Sequence, residues 1–494
     1  MNRLAIALAV VAAALGLRFG TFVASGADSY GYVSQADLWL NRTLVIEQPF
    51  NGDAPWRWAN WTLSPLGYRP GDRGGTMVPT YSPGLPMLMA GFKAVGGERA
   101  IYFVVPLLGA LAVWLTFRLG LFFGDRQAAL LAAFALLVSP AFIFQLMWPM
   151  SDVPVMAWWL LAIVLAAGGT RAHAGLAGFA AAAAILTRPN LAPLVLPIAA
   201  ALVMLGDEQP RQRAWRAAFF VIAMLPGPIA VAAINNHLYG SPLASGYGTF
   251  STIYAWRYFW TNAANYPLWL IQTQTPFILL ALAAPLLLRR SGHVAHRRLM
   301  LIGLLFSLAV LLLYLWYTPF DHWTYLRFLL PAYPVMLVVS AAAFGLMAPK
   351  EPRRRVMSFA AVAVALAVWG GWHARSAFAV QADEARYVAA ARFAAALPDN
   401  AVILSNQHSG SIRYYAHRTT MRFEWLAPDV YAEALSFMRG QGRPVFAVLD
   451  ESERDVFRAR YAEVTDLSWL DRPPTLVAAN RVYFYEVPPP APGP

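Results

Sequence analysis

The sequence predicts a polytopic α-helical membrane protein of about eleven transmembrane helices, with a small α/β domain on the outer side. Three observations carry this. Apolar residues make up 59% of the 494 residues and charged ones 13%, against roughly 25% charged in soluble domains. Apolar runs recur along residues 1–373, most of them near the ~20 residues that cross a hydrocarbon core. From 374 onward the character changes, with 13 Arg and 14 acids interspersed.

The runs fall at 4–24, 100–117, 128–146, 153–168, 174–187, 190–205, 217–234, 267–288, 299–317, 328–347 and 356–373. The first is longer than the apolar core of a signal peptide and is read as a span. The pair at 174–187 and 190–205 is short and broken only by Thr187-Arg188-Pro189-Asn190, as in a tilted or interrupted pair. Fifteen Lys and Arg, from Arg3 to Arg355, lie in loops on one side, and only Arg188, Arg257 and Arg327 in short loops on the other. That asymmetry sets the N-terminus inside and the C-terminus outside.

Charge and composition also exclude. The net charge of +12 arises in residues 1–373, which hold 25 basic and 12 acidic groups, so it follows topology rather than nucleic-acid binding. Cysteine is absent, which removes disulfides, thiolate metal sites and cysteine nucleophiles. No Walker loop, GxGxxG, HExxH or GxSxG is found.

Two regions face outward. The first external loop, 25–98, exceeds a simple connector. Ser29 to Leu40 reads as an aromatic-rich interfacial helix, and Thr80 to Val95 as a short apolar one. Trp56, Trp58 and Trp61 suit the headgroup layer. The domain at 374–494 reads as a helix over Ala382–Leu397 and a strand over Ala401–Ser405. A helix near Tyr431–Gly440, a strand over Pro444–Leu449 and a helix over Glu451–Arg460 follow. Strands near 475–479 and 481–487 and a Pro-rich tail, Pro488–Pro494, complete it.

Chemistry is sought at the outer ends of helices. Asp28 directly follows the first helix, where a carboxylate in a half-dry cavity could act as general base; the plainer reading is a helix cap. Asp152 could serve chemistry or cap the fourth helix with Ser151. Asp321 could pair with Arg327. Arg188 and Arg327 stand against the positive-inside bias and suit bidentate phosphate contact, or a salt bridge or lipid headgroup. Arg18 is open in the same way. His322 has no second His nearby and reads as structural. Tyr30, Tyr81, Asp321 and His322 are expected around an outer cavity. Asp28 and Asp152, with a water or hydroxyl, could hold a divalent ion, Mg²⁺ or Mn²⁺.

Asp28-Ser29-Tyr30, Tyr81-Ser82-Pro83-Gly84, Ser151-Asp152-Val153-Pro154, Arg188-Pro189-Asn190 and Arg327-Phe328-Leu329-Leu330-Pro331, in this order and placement, resemble the GT-C glycosyltransferases. Within them the chain is similar to the bacterial branch of protein O-mannosyltransferases, lipid A aminoarabinose transferase and lipopolysaccharide-core sugar transferases. Asn236 to Gly248 and Ser409 to Tyr415 add to the likeness. The resemblance implies a multi-pass protein of the bacterial inner membrane. It implies a polyprenyl-phosphate sugar donor, an envelope glycan, lipid or protein acceptor outside the cytoplasm, and inversion at the anomeric carbon. Carried over, Asp28 takes the base position, Asp152 the second acid and Arg327 a donor-phosphate contact. Two departures stand out: Asp28-Ser29 replaces Asp-Glu, and Tyr81-Ser82-Pro83 replaces the Lys-Pro-Pro of the aminoarabinose branch. The competing readings are a lipid-linked glycan flippase and a catalytically silent scaffold.

Overall fold

The computed structural model describes residues 1–50, 53–204, 209–289 and 294–489. Arg290 and the tail residues 490–494, both used above, lie outside the described residues.

Residues 1–374 form a helical body. Among the described residues six helices have the length and apolarity to cross a membrane, or up to eight if each bent pair is one span, against the eleven expected. The other three runs are the shorter helices Asp152–Ala166, Arg171–Thr187 and Val195–Met204, and two runs are bent. The run at 128–146 is two helices, Arg126–Leu137 and Pro140–Leu146, bent by 57° at Ser139-Pro140, where proline removes a helical N–H. The run at 267–288 is not one helix either. It turns by 117° at Thr275, whose backbone is left-handed (φ 58°) and whose hydroxyl accepts from the Phe277 N–H at 3.3 Å. The pair at 174–187 and 190–205 is interrupted as expected: Arg188 is extended (φ −145°, ψ 92°), because the following proline pushes its neighbour out of the helical region.

The first external loop folds as an added layer. Its helix, Asp28–Leu40, has every residue from Ser29 to Ala36 buried, so it does not lie half-exposed at an interface as expected. The helix Gly84–Gly96 packs against it. Between them strands β1 (Ile46–Glu47), β2 (Tyr68–Pro70) and β3 (Thr76–Pro79) make an antiparallel sheet in the order β1-β3-β2, too short and too broken by Pro and Gly for the sequence to announce. Two of the tryptophans also depart from the headgroup reading. Trp56 is buried in the core of the outer domain, and Trp61 stacks on Trp425 with ring centroids 4.5 Å apart; Trp58 is exposed.

The long helix Pro352–Ala374 passes through a short 3₁₀ turn into Val380–Ala395, leading from the helical body into the outer domain. That domain carries β4 (Val402–Leu404), β5 (Thr419–Met421), β6 (Val445–Asp450), β7 (Leu476–Ala478) and β8 (Val482–Glu486) in the order β5-β4-β6-β8-β7. Strands β5, β4 and β6 are parallel, and β6-β8-β7 antiparallel. All six residues of β6 are buried, as a central strand covered on both faces demands. The expected α/β elements are present; β5 and the helix Ser409–Ala416 are additions.

The loop and the outer domain share backbone hydrogen bonds. Arg422 N–H donates to the Thr62 carbonyl at 2.7 Å, and the Arg413 side chain donates to the Leu63 carbonyl at 3.0 Å. A Cβ on Gly410 would meet the Tyr30 ring at 2.2 Å, so only glycine permits this contact. Sequence boundaries at 98 and 374 therefore divide what the structure joins.

Candidate active site

A cavity of about 920 Å³ opens where the first loop, the helical body and the outer domain meet. Asp28 stands on its wall, in the first turn of the helix Asp28–Leu40, and makes no capping hydrogen bond there. Its carboxylate is instead held from two sides. Tyr81 Oη donates to Oδ1 at 2.6 Å, and Arg327 Nη1 donates to Oδ2 at 3.0 Å. The Tyr81 ring reaches it because Gly31 lacks a Cβ, which would lie 2.3 Å from that ring. Burial, then the Asp28 charge, pushes the Tyr81 phenol well above its ordinary value, so it remains a donor at neutral pH.

Behind this pair lies a second. Asp152 is fully buried at the start of the helix Asp152–Ala166, again without a cap hydrogen bond. Arg188 Nη2 donates to its Oδ1 at 2.6 Å, while Arg188 Nε donates to Ser151 Oγ at 3.1 Å. Arg327 Nη1 lies 4.0 Å from Asp152 Oδ2, so it sits between the two acids. The Phe328 ring has Arg188 at 5.6 Å and Arg327 at 5.1 Å from its centroid, each cation over a π face. Tyr32 Oη donates to Ser151 Oγ at 2.8 Å and ties the loop helix to this layer. Two carboxylates thus balance two guanidiniums, in a network that is costly to break at its fully buried acid, Asp152.

Phenols continue the site from Phe328, whose ring lies 5.2 and 5.1 Å from those of Tyr314 and Tyr317. Asn190 donates to Tyr254 Oη at 3.2 Å and to Tyr314 Oη at 3.1 Å. Asn262 donates to the Tyr314, Leu315 and Tyr317 carbonyls, which satisfies the orphan carbonyls of a helix end and orients Tyr314 and Tyr317 toward the cavity.

Of the residues singled out in the sequence, Asp28, Tyr81, Arg188 and Arg327 line the cavity, with Asp152 bonded beneath. Three do not reach it. Tyr30 is buried against Tyr68 and Tyr414 (centroids 5.6 and 6.3 Å), away from the cavity, because the helix turns it toward the outer domain. Asp321 is exposed, and Arg327 pairs with Asp28 rather than with it. His322 is exposed too; its Nδ1 accepts from the Thr324 N–H at 3.4 Å, a capping role. Arg18 is exposed beside Phe19. Residues missed in the sequence include Tyr32, Asn190, Tyr247 and Tyr314, together with Glu384, Arg386, Tyr387 and Gln407 from the outer domain. Asn190 and Tyr247 lie in segments that carried the resemblance but were given no role there, and no local pattern marks the others, which come from distant elements.

The donor set does not fit a divalent ion. Among the described residues no group of three or more His, Asp or Glu stands together as ligands. Asp28 and Asp152 are occupied by Arg327 and Arg188, so a metal would have to displace a guanidinium from each.

A family model described as dolichyl-phosphate-mannose-protein mannosyltransferase matches residues 80–234. No curated protein matches by sequence. Among solved structures, ArnT from Cupriavidus metallidurans bound to undecaprenyl phosphate superposes with TM-score 0.56 at 14% identity, covering 98% of this chain and 97% of that one. The Archaeoglobus fulgidus oligosaccharyltransferase AglB, in complex with an inhibitory peptide and a dolichol-phosphate, gives 0.54 at 14%, covering 96% and 74%. The arabinofuranosyltransferase AftD from Mycobacteria gives 0.50 at 16%, covering 87% of this chain and 36% of the longer relative. The chain thus shares the fold of these structures along nearly its whole length, and the family match falls across its central helices.

Proposed function

We propose that the chain is a membrane glycosyltransferase that moves a sugar from a polyprenyl-phosphate carrier to an acceptor hydroxyl outside the cytoplasm, with inversion. The observation that carries this is the Asp28–Arg327 pair, 3.0 Å apart on the wall of one cavity. It puts a proton acceptor beside a cation suited to phosphate. ArnT bound to undecaprenyl phosphate and AglB with a dolichol-phosphate support the class of donor. The excess of Lys and Arg in alternate loops supports the orientation, with the cavity facing outward in a bacterial inner membrane.

The chemistry follows from the geometry. The acceptor hydroxyl gives its proton to Asp28 as its oxygen forms a bond to the anomeric carbon. The bond from that carbon to the phosphate oxygen breaks, and the electron pair leaves with polyprenyl phosphate. Arg327, backed by Arg188, meets the charge that develops on the phosphate. Fixed cations in a partly dry site do this without reorganising. Tyr81 fixes the Asp28 rotamer, and Asp152 keeps both guanidiniums in place. No step passes through a metal.

Purified protein given radiolabelled polyprenyl-phosphate sugars and a membrane extract as acceptor tests the reading. Asp28→Asn is expected to lower transfer roughly 10²- to 10⁴-fold, the share of general-base catalysis, with its melting temperature unmoved. Transfer at the wild-type rate in this variant removes Asp28 from the mechanism. Carrier translocation without cleavage of the sugar–phosphate bond would mark a flippase instead.

A further inference from the structure

The outer domain closes one side of the cavity with Glu384, Arg386, Tyr387 and Gln407. The lead-in helix Val380–Ala395 supplies the first three, and the turn after β4 the fourth. They stand close to the proposed base: a Cβ built on Gly26, two residues before Asp28, would lie 3.6 Å from Tyr387 Oη and 3.8 Å from Gln407 Oε1.

This wall is rigidly held. Arg386 Nε donates to Asp450 at 2.9 Å, and its Nη1 donates to Glu384 at 3.1 Å. Asp450 sits at the end of β6 and forms a capping box with Glu453 for the helix Glu451–Tyr461. Gln407 is anchored by its backbone N–H, which donates to Glu453 at 2.9 Å. The Tyr387 ring packs on buried His408 with centroids 4.5 Å apart.

Both sides of the cavity balance acid against guanidinium, but their other groups differ. On the Asp28 side two guanidiniums stand together, paired with Asp28 and Asp152. On the outer wall Glu384 and Arg386 neutralise one another, beside a phenol and an amide. Two further cavity residues are left with hydrogen-bonding capacity. Ser29 Oγ and Gln145 Oε1 are buried and have no protein partner, and buried polar atoms are costly unless something bonds them. Paired acid and guanidinium, amide, phenol and hydroxyl are the groups that pair with a dense array of sugar hydroxyls. They offer no net cation for a phosphorylated head group and no apolar pocket for a peptide side chain.

We infer that Glu384, Arg386, Tyr387 and Gln407 form the acceptor subsite and that the acceptor is a neutral saccharide, which gives its hydroxyl to Asp28; this rests on the transferase reading above. Saturation-transfer NMR on the full-length protein in detergent tests it without turnover. The probes are two neutral disaccharides (α-1,6-mannobiose and lactose), mannose 6-phosphate and a Ser/Thr-containing hexapeptide. The disaccharides are expected to receive saturation, and the other two not. Gln407→Ala and Tyr387→Phe should each weaken disaccharide binding about 5- to 10-fold, the worth of one hydrogen bond. Tyr387→Phe keeps the packing on His408, so it reads the hydroxyl even if the alanine variant unfolds. Preference for the peptide or the sugar phosphate, no transfer to either disaccharide, or unchanged binding in folded variants would each overturn the proposal. A failed donor assay would leave this result standing, and failure here would leave the donor assay standing.

Discussion

Two arginine–carboxylate networks face the same cavity, and they are built differently. The inner one joins Asp28, Asp152, Arg188 and Arg327 from four separated elements, and none of its acids caps a helix. The outer one joins Glu384, Arg386, Asp450 and His408, and Asp450 with Glu453 also caps a helix. In the first, the carboxylates are released from structural duty and held only by cations and a phenol. In the second, ion pairing and local folding share the same atoms. The inner network should therefore express itself in chemistry, the outer one in stability and its pH dependence.

The largest stability effect should nonetheless come from the one inner member sealed away from the cavity. Asp152→Ala leaves Arg188 without its carboxylate, at about 3–5 kcal/mol for breaking a buried pair. A fall in melting temperature, read by nanoscale fluorimetry in detergent, checks this; a melt equal to wild type would erase the distinction between Asp152 and Asp28.

The outer network should reveal itself on titration. Burial raises the Asp450 carboxyl, but the His408 and Arg386 contacts outweigh it and hold the group down to about 2. Its folded value lies below its unfolded one, so its stabilisation is full above roughly pH 4 and is lost as pH falls through about 2. Glu453 has the opposite sign. Burial outweighs its backbone hydrogen bonds and pushes it up to about 7. Its contribution is full below roughly pH 4.3 and is lost as pH rises through about 7. Melting curves across that range should decline toward neutrality, and Glu453→Gln should flatten the decline. An unchanged slope in this variant would assign the pH response elsewhere.

The smallest effect sharpens the comparison from outside. Arg458 and Asp471 form an exposed pair at 2.6 Å, and Arg458→Ala should change stability by no more than about 0.5 kcal/mol. A larger shift would show that pairs far from either network also matter.

Much of the site was legible because its positions follow from topology. Asp28, Arg188 and Arg327 stood out as charges at helix ends facing the side where cations are scarce, and all three line the cavity. Tyr30, Asp321 and His322 carried the same signal, yet they turn away. Sequence places a residue at a level of the fold, but its azimuth around a helix or turn depends on packing partners hundreds of residues away. For Tyr30 that partner is Gly410. The bends at Ser139 and Thr275 escaped notice for a related reason: hydropathy averages over a window, while these are local backbone events.

The sequence by itself determined the class of molecule, since a chain with so many apolar runs and so few charges has only the helical bundle by which to satisfy its backbone in lipid. It also determined the α/β character of the outer domain, through short buried strands alternating with charged helices. Only the tertiary structure decided that the first loop and the outer domain form one layer, that Arg327 stands between two acids, and that Glu384, Arg386 and Gln407 line the same cavity as Asp28. Those are contacts between distant segments, set by close packing and charge balance in three dimensions, and no local pattern encodes them.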